Sequence, residues 1–181
     1  MKKLILFLLV TSCTSIVSSP SKIALESLAP DLSIPVAPRK VFSSSSDTEW
    51  LKLAINKANC VLNNQDFIAE VEAFKDYTFT DKSSPQVANA IKELKPIKVA
   101  LYKTKNPFSK AIATTYASDR ETVYINTRRN PRAMPDMVNT IIHEGLHLAG
   151  FSHGDNSPVG KENSVNYKVG SIAEKYVEKC N

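Results

Sequence analysis

The stretch that decides how this chain is organised is residues 143–153, which read His143-Glu144-Gly145-Leu146-His147-Leu148-Ala149-Gly150-Phe151-Ser152-His153. It contains all three histidines of the sequence. Two histidines four residues apart on a helix project from the same face, so both imidazoles can reach one zinc ion at about 2.0–2.1 Å. Glycine three residues later predicts that the helix ends in a left-handed turn. The chain can then double back and present His153 as a third zinc ligand.

Glu144 indicates that such a zinc site would be catalytic. Three protein nitrogens leave one coordination position open for water, which is typical of catalytic rather than structural zinc. A carboxylate directly after the first ligand lies beside the same helix face, where it can accept a proton from that water. A zinc site that binds without catalysing is the alternative, although it would have no use for a carboxylate at this place.

The run H-E-x-x-H-x-x-G-x-x-H resembles the extended motif of the metzincin clan of zinc-dependent endopeptidases. The resemblance covers roughly residues 134–170, and it implies that the three histidines are zinc ligands and Glu144 the general base. It also implies an α+β, metzincin-like zincin domain with a small twisted sheet, an active-site helix and a C-terminal helix. A peptide or protein substrate would lie extended along an edge strand, for which Glu121–Thr127 is the candidate.

The chain departs from the clan downstream of the motif. Metzincins carry a methionine-containing turn there, whereas all three methionines of this chain precede the motif. The segment Ser164–Tyr167 resembles a shortened turn, with Asn166 or Val165 near the methionine's place. The resemblance makes Tyr167 a candidate for a tyrosine that assists the transition state. The alternative is an ordinary half-buried helix tyrosine.

The first thirteen residues are typical of a secretion signal. Lys2 and Lys3 precede an apolar run over residues 4–10, which is too short to span a bilayer as a helix. Val10-Thr11-Ser12-Cys13 fits the bacterial lipobox, so residues 1–12 are predicted to be removed and Cys13 to carry a lipid that anchors the chain to a membrane. A plain signal peptide with an incidental cysteine is the alternative.

The predicted location is the bacterial cell envelope. By resemblance to bacterial lipoproteins, Thr14 after the lipidated cysteine favours the outer membrane, at its periplasmic or its surface face. Residues 13–46 are rich in serine and proline and are predicted to form a lipidated tether. A propeptide-like segment lying across the cleft is the alternative for this stretch.

Residues 47–181 are predicted to form one zinc metallopeptidase-like domain. Ser46 and Glu49 suggest a capping box, after which apolar residues recur at helical spacing. Further helices are predicted from Asp66, from Ser84-Pro85, from Pro135 to about Leu148, and from Val165 onward. Alternation predicts strands at residues 97–102, 113–117 and 121–126.

The charge of the chain is only mildly basic. The formal charge is +5, and it falls to +3 once the two lysines of the signal segment are removed. The nearest basic cluster is Arg128, Arg129 and Arg132, without interleaved aromatic residues. We therefore expect no nucleic-acid partner, and we expect a monomer.

Cys60 and Cys180 remain after the signal segment. An oxidising envelope compartment favours a disulfide between them, which would close a loop of about 120 residues. Two buried free thiols are the alternative.

The function predicted from the sequence is that of a zinc metalloendopeptidase. Two alternatives stay open: an envelope lipoprotein that binds zinc without turnover, and a zinc hydrolase that acts on the cross-linking peptides of the cell wall. A tether or adhesin with a decayed motif is disfavoured, because the ligands and the glutamate are all intact.

Overall fold

The computed structural model describes residues 37–129, 132–154 and 160–180. Within these ranges the chain forms an α+β domain, as predicted, with five α-helices and a four-stranded mixed sheet. The helices are α1 (Glu49–Asn63), α2 (Gln65–Ala73), α3 (Ser84–Lys92), α4 (Met134–Leu148) and α5 (Val165–Glu174). The strands are β1 (Phe42–Ser44), β2 (Ile97–Tyr102), β3 (Ala113–Tyr116) and β4 (Asp119–Asn126).

The predictions for the N-terminus fall mostly on residues that the structure does not describe. The signal peptide (residues 1–12), the lipid attachment site at Cys13 and the tether up to residue 36 lie outside the described residues. In the part of the chain that is described, no helix has the length and apolar character needed to cross a bilayer.

The sheet has the strand order β1-β2-β4-β3. β1 is parallel to β2, β2 is parallel to β4 with Val99 opposite Val123, and β3 is antiparallel to β4. The prediction that Glu121–Thr127 is the edge strand is therefore wrong, because β4 bonds to a neighbour on each side. The outer strand next to it is β3. Alternation identifies a strand with one buried face, but it does not reveal whether the strand has one neighbour or two.

The folded domain begins within the last part of the predicted tether. Phe42–Ser44 form β1, and Val41 and Phe42 are buried. Asn59 of α1 satisfies the backbone here: its Oδ1 accepts hydrogen bonds from the N–H groups of Val41 and Phe42, and its Nδ2 donates to the Phe42 carbonyl, all at 2.8 Å. The prediction of a tether up to residue 46 is wrong for this part. The composition of the stretch is typical of linkers, but the side-chain amide of Asn59 satisfies its backbone hydrogen bonds and so holds it in the domain.

The helix α4 lies unusually close to the sheet. A Cβ atom on Gly145 would lie 2.8 Å from Cζ of Phe42 and 3.5 Å from Cδ1 of Ile97. Carbon atoms in contact are normally about 3.5–4.0 Å apart, so only glycine allows this approach. The apolar face of α4 fills the core on the same side through Met137, Val138, Ile141, Ile142 and Leu146. The helix that carries the histidines is thus held firmly against the sheet, with α5 packed along it.

The start of α1 differs in detail from the prediction. Thr48 is the N-cap residue and makes no side-chain capping bond. Ser46 bonds to the Thr48 hydroxyl at 2.8 Å, so the predicted capping box with Glu49 is absent. By contrast, α3 begins at Ser84 with Pro85 in its first turn, as predicted.

The predicted arginine cluster holds a connection in place. Arg128 donates to the carbonyl of Thr104 at 2.8 Å, and Arg129 donates to the carbonyl of Ser109 at 2.9 Å. Both carbonyls lie in the segment between β2 and β3. These arginines therefore tie that segment to the end of β4.

A disulfide joins the beginning of the domain to its end. Cys60 lies in α1, and Cys180 follows the last helical turn. The structure bonds the two sulfurs, with the Cα atoms 5.8 Å apart. Lys57 also contacts this end, donating to the Cys180 carbonyl at 2.6 Å. The C-terminal segment that follows α5 is thereby tied to α1.

Candidate metal centre

The three histidines converge at the C-terminal end of α4. The ring centroids of His143 and His147 are 5.1 Å apart. The ring of His153 lies 5.3 Å from that of His143 and 4.8 Å from that of His147. One nitrogen from each ring lies within 4.8 Å of the others. The structure therefore brings together the three ligands that the sequence predicts.

The turn after α4 explains how His153 returns to the helix. Gly150 adopts φ +90°, which only glycine does without strain. Its N–H donates to the carbonyl of His147, and the Phe151 N–H donates to the carbonyl of Leu146, both at 3.0 Å. This pair of bonds is the Schellman arrangement that ends many helices. Phe151 is buried, and it anchors the turn in the core, so the two residues that follow lead back to the site.

The same turn orients His147. Nδ1 of His147 lies 3.0 Å from the Phe151 carbonyl oxygen. A carbonyl can only accept, so Nδ1 carries the proton and Nε2 keeps its lone pair for a metal ion. A ring nitrogen that donates to a backbone carbonyl is the usual support of a metal-binding histidine.

His153 offers a further sign that the site suits an ion. Its Nδ1 is buried and, within the described residues, has no hydrogen-bond partner. Buried polar atoms are rarely left without a partner. Three imidazole nitrogens form a donor set typical of zinc with one open position, so the residues fit a zinc ion.

Burial sets the protonation of the first ligand and of the glutamate. Desolvation, followed by the neighbouring His147 and His153, lowers the pKa of His143 to about 3. The ring is therefore neutral at pH 7, which is the form that binds metal. Desolvation also raises the pKa of Glu144 to about 7. A carboxyl group with a pKa near neutrality can both take up and release a proton at physiological pH.

A buried side chain at the start of α5 binds the backbone of the histidine cluster. Asn166 is fully buried, and its Nδ2 donates to the carbonyl of His143 at 3.0 Å. Its Oδ1 has no partner among the described residues. The sequence places Asn166 or Val165 at the position of the missing methionine, and it is the asparagine that binds the backbone of the first ligand.

Tyr167 lies beside two of the three histidines. Its ring lies 4.6 Å from that of His143 and 5.0 Å from that of His153, and the side chain is 39% exposed. The Nζ atom of Lys161 lies 5.2 Å from the centre of the same ring. Tyr167 is thus more than a helix-surface residue: it borders the space next to two of the ligands.

Two residues beside the site were not singled out from the sequence. Lys161 belongs to a single helical turn before α5, and Phe79 lies between α2 and α3. Neither belongs to a recognisable motif. Only the folded chain places Lys161 over the ring of Tyr167 and Phe79 against Gly154, the residue after His153. The chain matches no protein-family model, no curated protein and no solved structure.

Proposed function

We propose that this chain is a zinc-dependent endopeptidase of metzincin type. The observation that carries the proposal is the convergence of His143, His147 and His153 beside Glu144, a carboxyl group whose pKa is raised to about 7. The helix, the Schellman turn and the bond from His147 to the Phe151 carbonyl hold the three imidazoles ready for an ion.

The proposed reaction is hydrolysis of a peptide bond. His143, His147 and His153 would hold a zinc ion, which would supply Lewis acidity: it would lower the pKa of water towards about 7 and polarise the substrate carbonyl. Glu144 accepts the proton of the attacking water as the new carbon–oxygen bond forms. It then gives that proton to the amine nitrogen as the carbon–nitrogen bond breaks. Its partly buried position keeps bulk water from competing for the proton.

The substrate is proposed to lie along β3. This strand is the edge of the sheet next to β4, and α4 packs against both. An extended peptide can add to such an edge through main-chain hydrogen bonds. Tyr167 is proposed to donate a hydrogen bond from its phenol hydroxyl to the oxygen that becomes negatively charged, without losing the proton. Tyr167→Phe should then lower kcat with little change in KM.

The main test is the substitution Glu144→Gln in zinc-loaded protein. Zinc content, measured by mass spectrometry of the metal, should stay near one per chain, while cleavage of a peptide library should fall by about 10²–10⁴-fold. His147→Ala should lose the zinc as well. Glu93→Gln is the matched control. It alters an exposed carboxylate at the C-terminal end of α3 and should change neither the zinc content nor the rate of peptide cleavage.

The outcomes separate the alternatives. If the wild-type protein binds one zinc but cleaves no peptide, the alternative of a zinc-binding protein without turnover would be favoured. Release of soluble fragments from purified cell wall, without cleavage of ordinary peptides, would favour the cross-linking peptides as substrate. Strong residual activity in Glu144→Gln would remove Glu144 as the base.

We also propose that Cys13 carries a lipid that anchors the chain in the bacterial envelope. The support is the lipobox sequence alone, Val10-Thr11-Ser12-Cys13. Metabolic labelling with a palmitate analogue should mark the wild-type chain and not Cys13→Ala. Equal labelling of both would contradict the proposal.

A further inference from the structure

Phe79 has a backbone conformation that a bulky residue rarely adopts. Its φ angle is +57°, and among the described residues it is the only non-glycine with a positive φ. Aromatic side chains are strained in this region, and such strain persists only where the surrounding contacts impose it. The side chain is nonetheless 42% exposed, so the strain does not serve to bury the ring.

Hydrogen bonds of Thr78, the residue before Phe79, hold the backbone at this point. The Thr78 N–H donates to the Asn163 carbonyl at 3.0 Å, and the Thr78 hydroxyl donates to the Gly160 carbonyl at 2.5 Å. Thr78 also pairs with Ser164 as an isolated bridge. These contacts tie the α2–α3 connection to the segment that leads into α5, and Phe79 directly follows this point of attachment.

The ring of Phe79 lies against the loop that carries the third ligand. Gly154 directly follows His153 and has φ +67°. A Cβ atom on Gly154 would lie 3.0 Å from Cε1 of Phe79, so the ring covers the backbone at this point. One part of the ring packs on the ligand loop, and the rest is open to solvent.

Tyr167 provides a second exposed aromatic ring beside the same ligand. Its ring centre is 5.0 Å from that of His153, and both it and Phe79 are about 40% exposed. Ligand sites are lined mainly by apolar and aromatic side chains around a few polar groups. The cation of Lys161 over Tyr167 would repel a basic group at this place.

We propose that Phe79 is a specificity-determining residue: its ring forms an apolar subsite that accepts a large, uncharged apolar side chain of the substrate next to the scissile bond. This inference rests on the proposed function, because it assumes that substrate binds at the histidine cluster. The strained conformation places the ring against Gly154, the residue after His153, where a substrate side chain can cover it.

The test uses two zinc-binding probes, the hydroxamates of phenylalanine and of serine, titrated calorimetrically into the zinc-loaded full chain. Wild-type protein should bind the phenylalanine probe more tightly. Phe79→Ala should weaken that probe by about tenfold, in line with the contribution of one aromatic contact, and should leave the serine probe unchanged. The zinc affinity should also stay the same. Leu53→Ala, which truncates an exposed apolar side chain on α1, should change neither probe.

Phe79→Gly keeps the test valid if the alanine variant folds poorly. Glycine removes the ring and relieves the positive φ, so this variant should unfold at a higher temperature than Phe79→Ala while losing the same preference. Phe79→Leu should keep part of the preference. Equal weakening of both probes, an unchanged preference, or a lower zinc affinity in the alanine and glycine variants would overturn the inference.

Failure of the inference is distinguishable from failure of the proposed function. A wild-type protein that prefers the phenylalanine probe but cleaves no peptide would refute the endopeptidase and leave the subsite standing. Peptide cleavage with unchanged side-chain preference in Phe79→Gly would refute the subsite and leave the endopeptidase standing. A wild-type protein that binds no zinc would refute both.

Discussion

Gly145→Ala directly tests how closely α4 packs against the sheet. The added methyl group would lie 2.8 Å and 2.9 Å from two carbons of the Phe42 ring, which is well inside the usual contact distance of about 3.5–4.0 Å. Phe42 is only 2% exposed, so its ring has no free space to enter. Overpacking of this kind costs about 1–3 kcal/mol, whereas alanine in place of glycine gains about 1 kcal/mol of helix propensity.

Because both contacts are shorter than 3.0 Å, we expect a cost in the upper part of that range, about 2–3 kcal/mol. The expected net effect is a loss of about 1–2 kcal/mol in the free energy of unfolding. For a domain of this size Tm falls by about 2–4 °C per kcal/mol, so thermal melts of metal-free protein should show a decrease of about 2–8 °C. Urea titration of the same protein measures the loss of free energy directly. A double-mutant cycle identifies the cause: in the Phe42→Leu background, Gly145→Ala should cost less by at least about 1 kcal/mol. A variant as stable as the wild type, or a cycle in which the two changes are additive, would refute the close approach of α4 to β1.

Three further predictions concern the support of the site and of the fold. Asn166→Leu removes the donor to the His143 carbonyl, so zinc affinity should fall by about tenfold in competition with a chromophoric chelator; unchanged affinity would show that this bond does not position the ligand. Lys175 lowers the pKa of the Glu70 carboxyl by hydrogen bonding. The stability this adds is therefore present above the unfolded pKa of about 4.3 and is lost as the pH falls through the lower, folded value. Lys175→Met should accordingly destabilise the protein at pH 7 by less than about 1 kcal/mol, because both groups are partly solvent-exposed, and should have no effect at pH 2 in the same urea titrations. Reduction of the disulfide should lower the free energy of unfolding by about 4–5 kcal/mol, and two free thiols in unreduced, denatured protein would contradict the bond.

The cluster of three histidines was largely predictable because its determinants are local. Helical spacing places His143 and His147 on one face, and Gly150 followed by the apolar Phe151 specifies the Schellman turn that returns His153. The helices and most strands follow from the period of their apolar residues for the same reason. In each case the interaction that decides the structure lies within a few residues along the chain.

The features that were missed depend on residues far apart in sequence. β1 lies in a serine- and proline-rich stretch, and it becomes a strand because Asn59 binds its backbone. β4 lies inside the sheet because it pairs with β2, a strand that is separated from it by more than ten residues of sequence. No local sequence pattern predicts the backbone conformation of Phe79, because it depends on contacts of Thr78 with residues some eighty positions later.

The covalent link between Cys60 and Cys180 has a consequence for how the folded chain responds to proteolysis. All the ligands, Glu144 and the whole sheet beyond β1 lie between these two cysteines. A single backbone cut in an exposed connection, such as the segment between β2 and β3, would therefore leave both fragments in one molecule. Such a nicked chain would migrate as one band without reductant and as two bands with it, and its histidines would remain assembled.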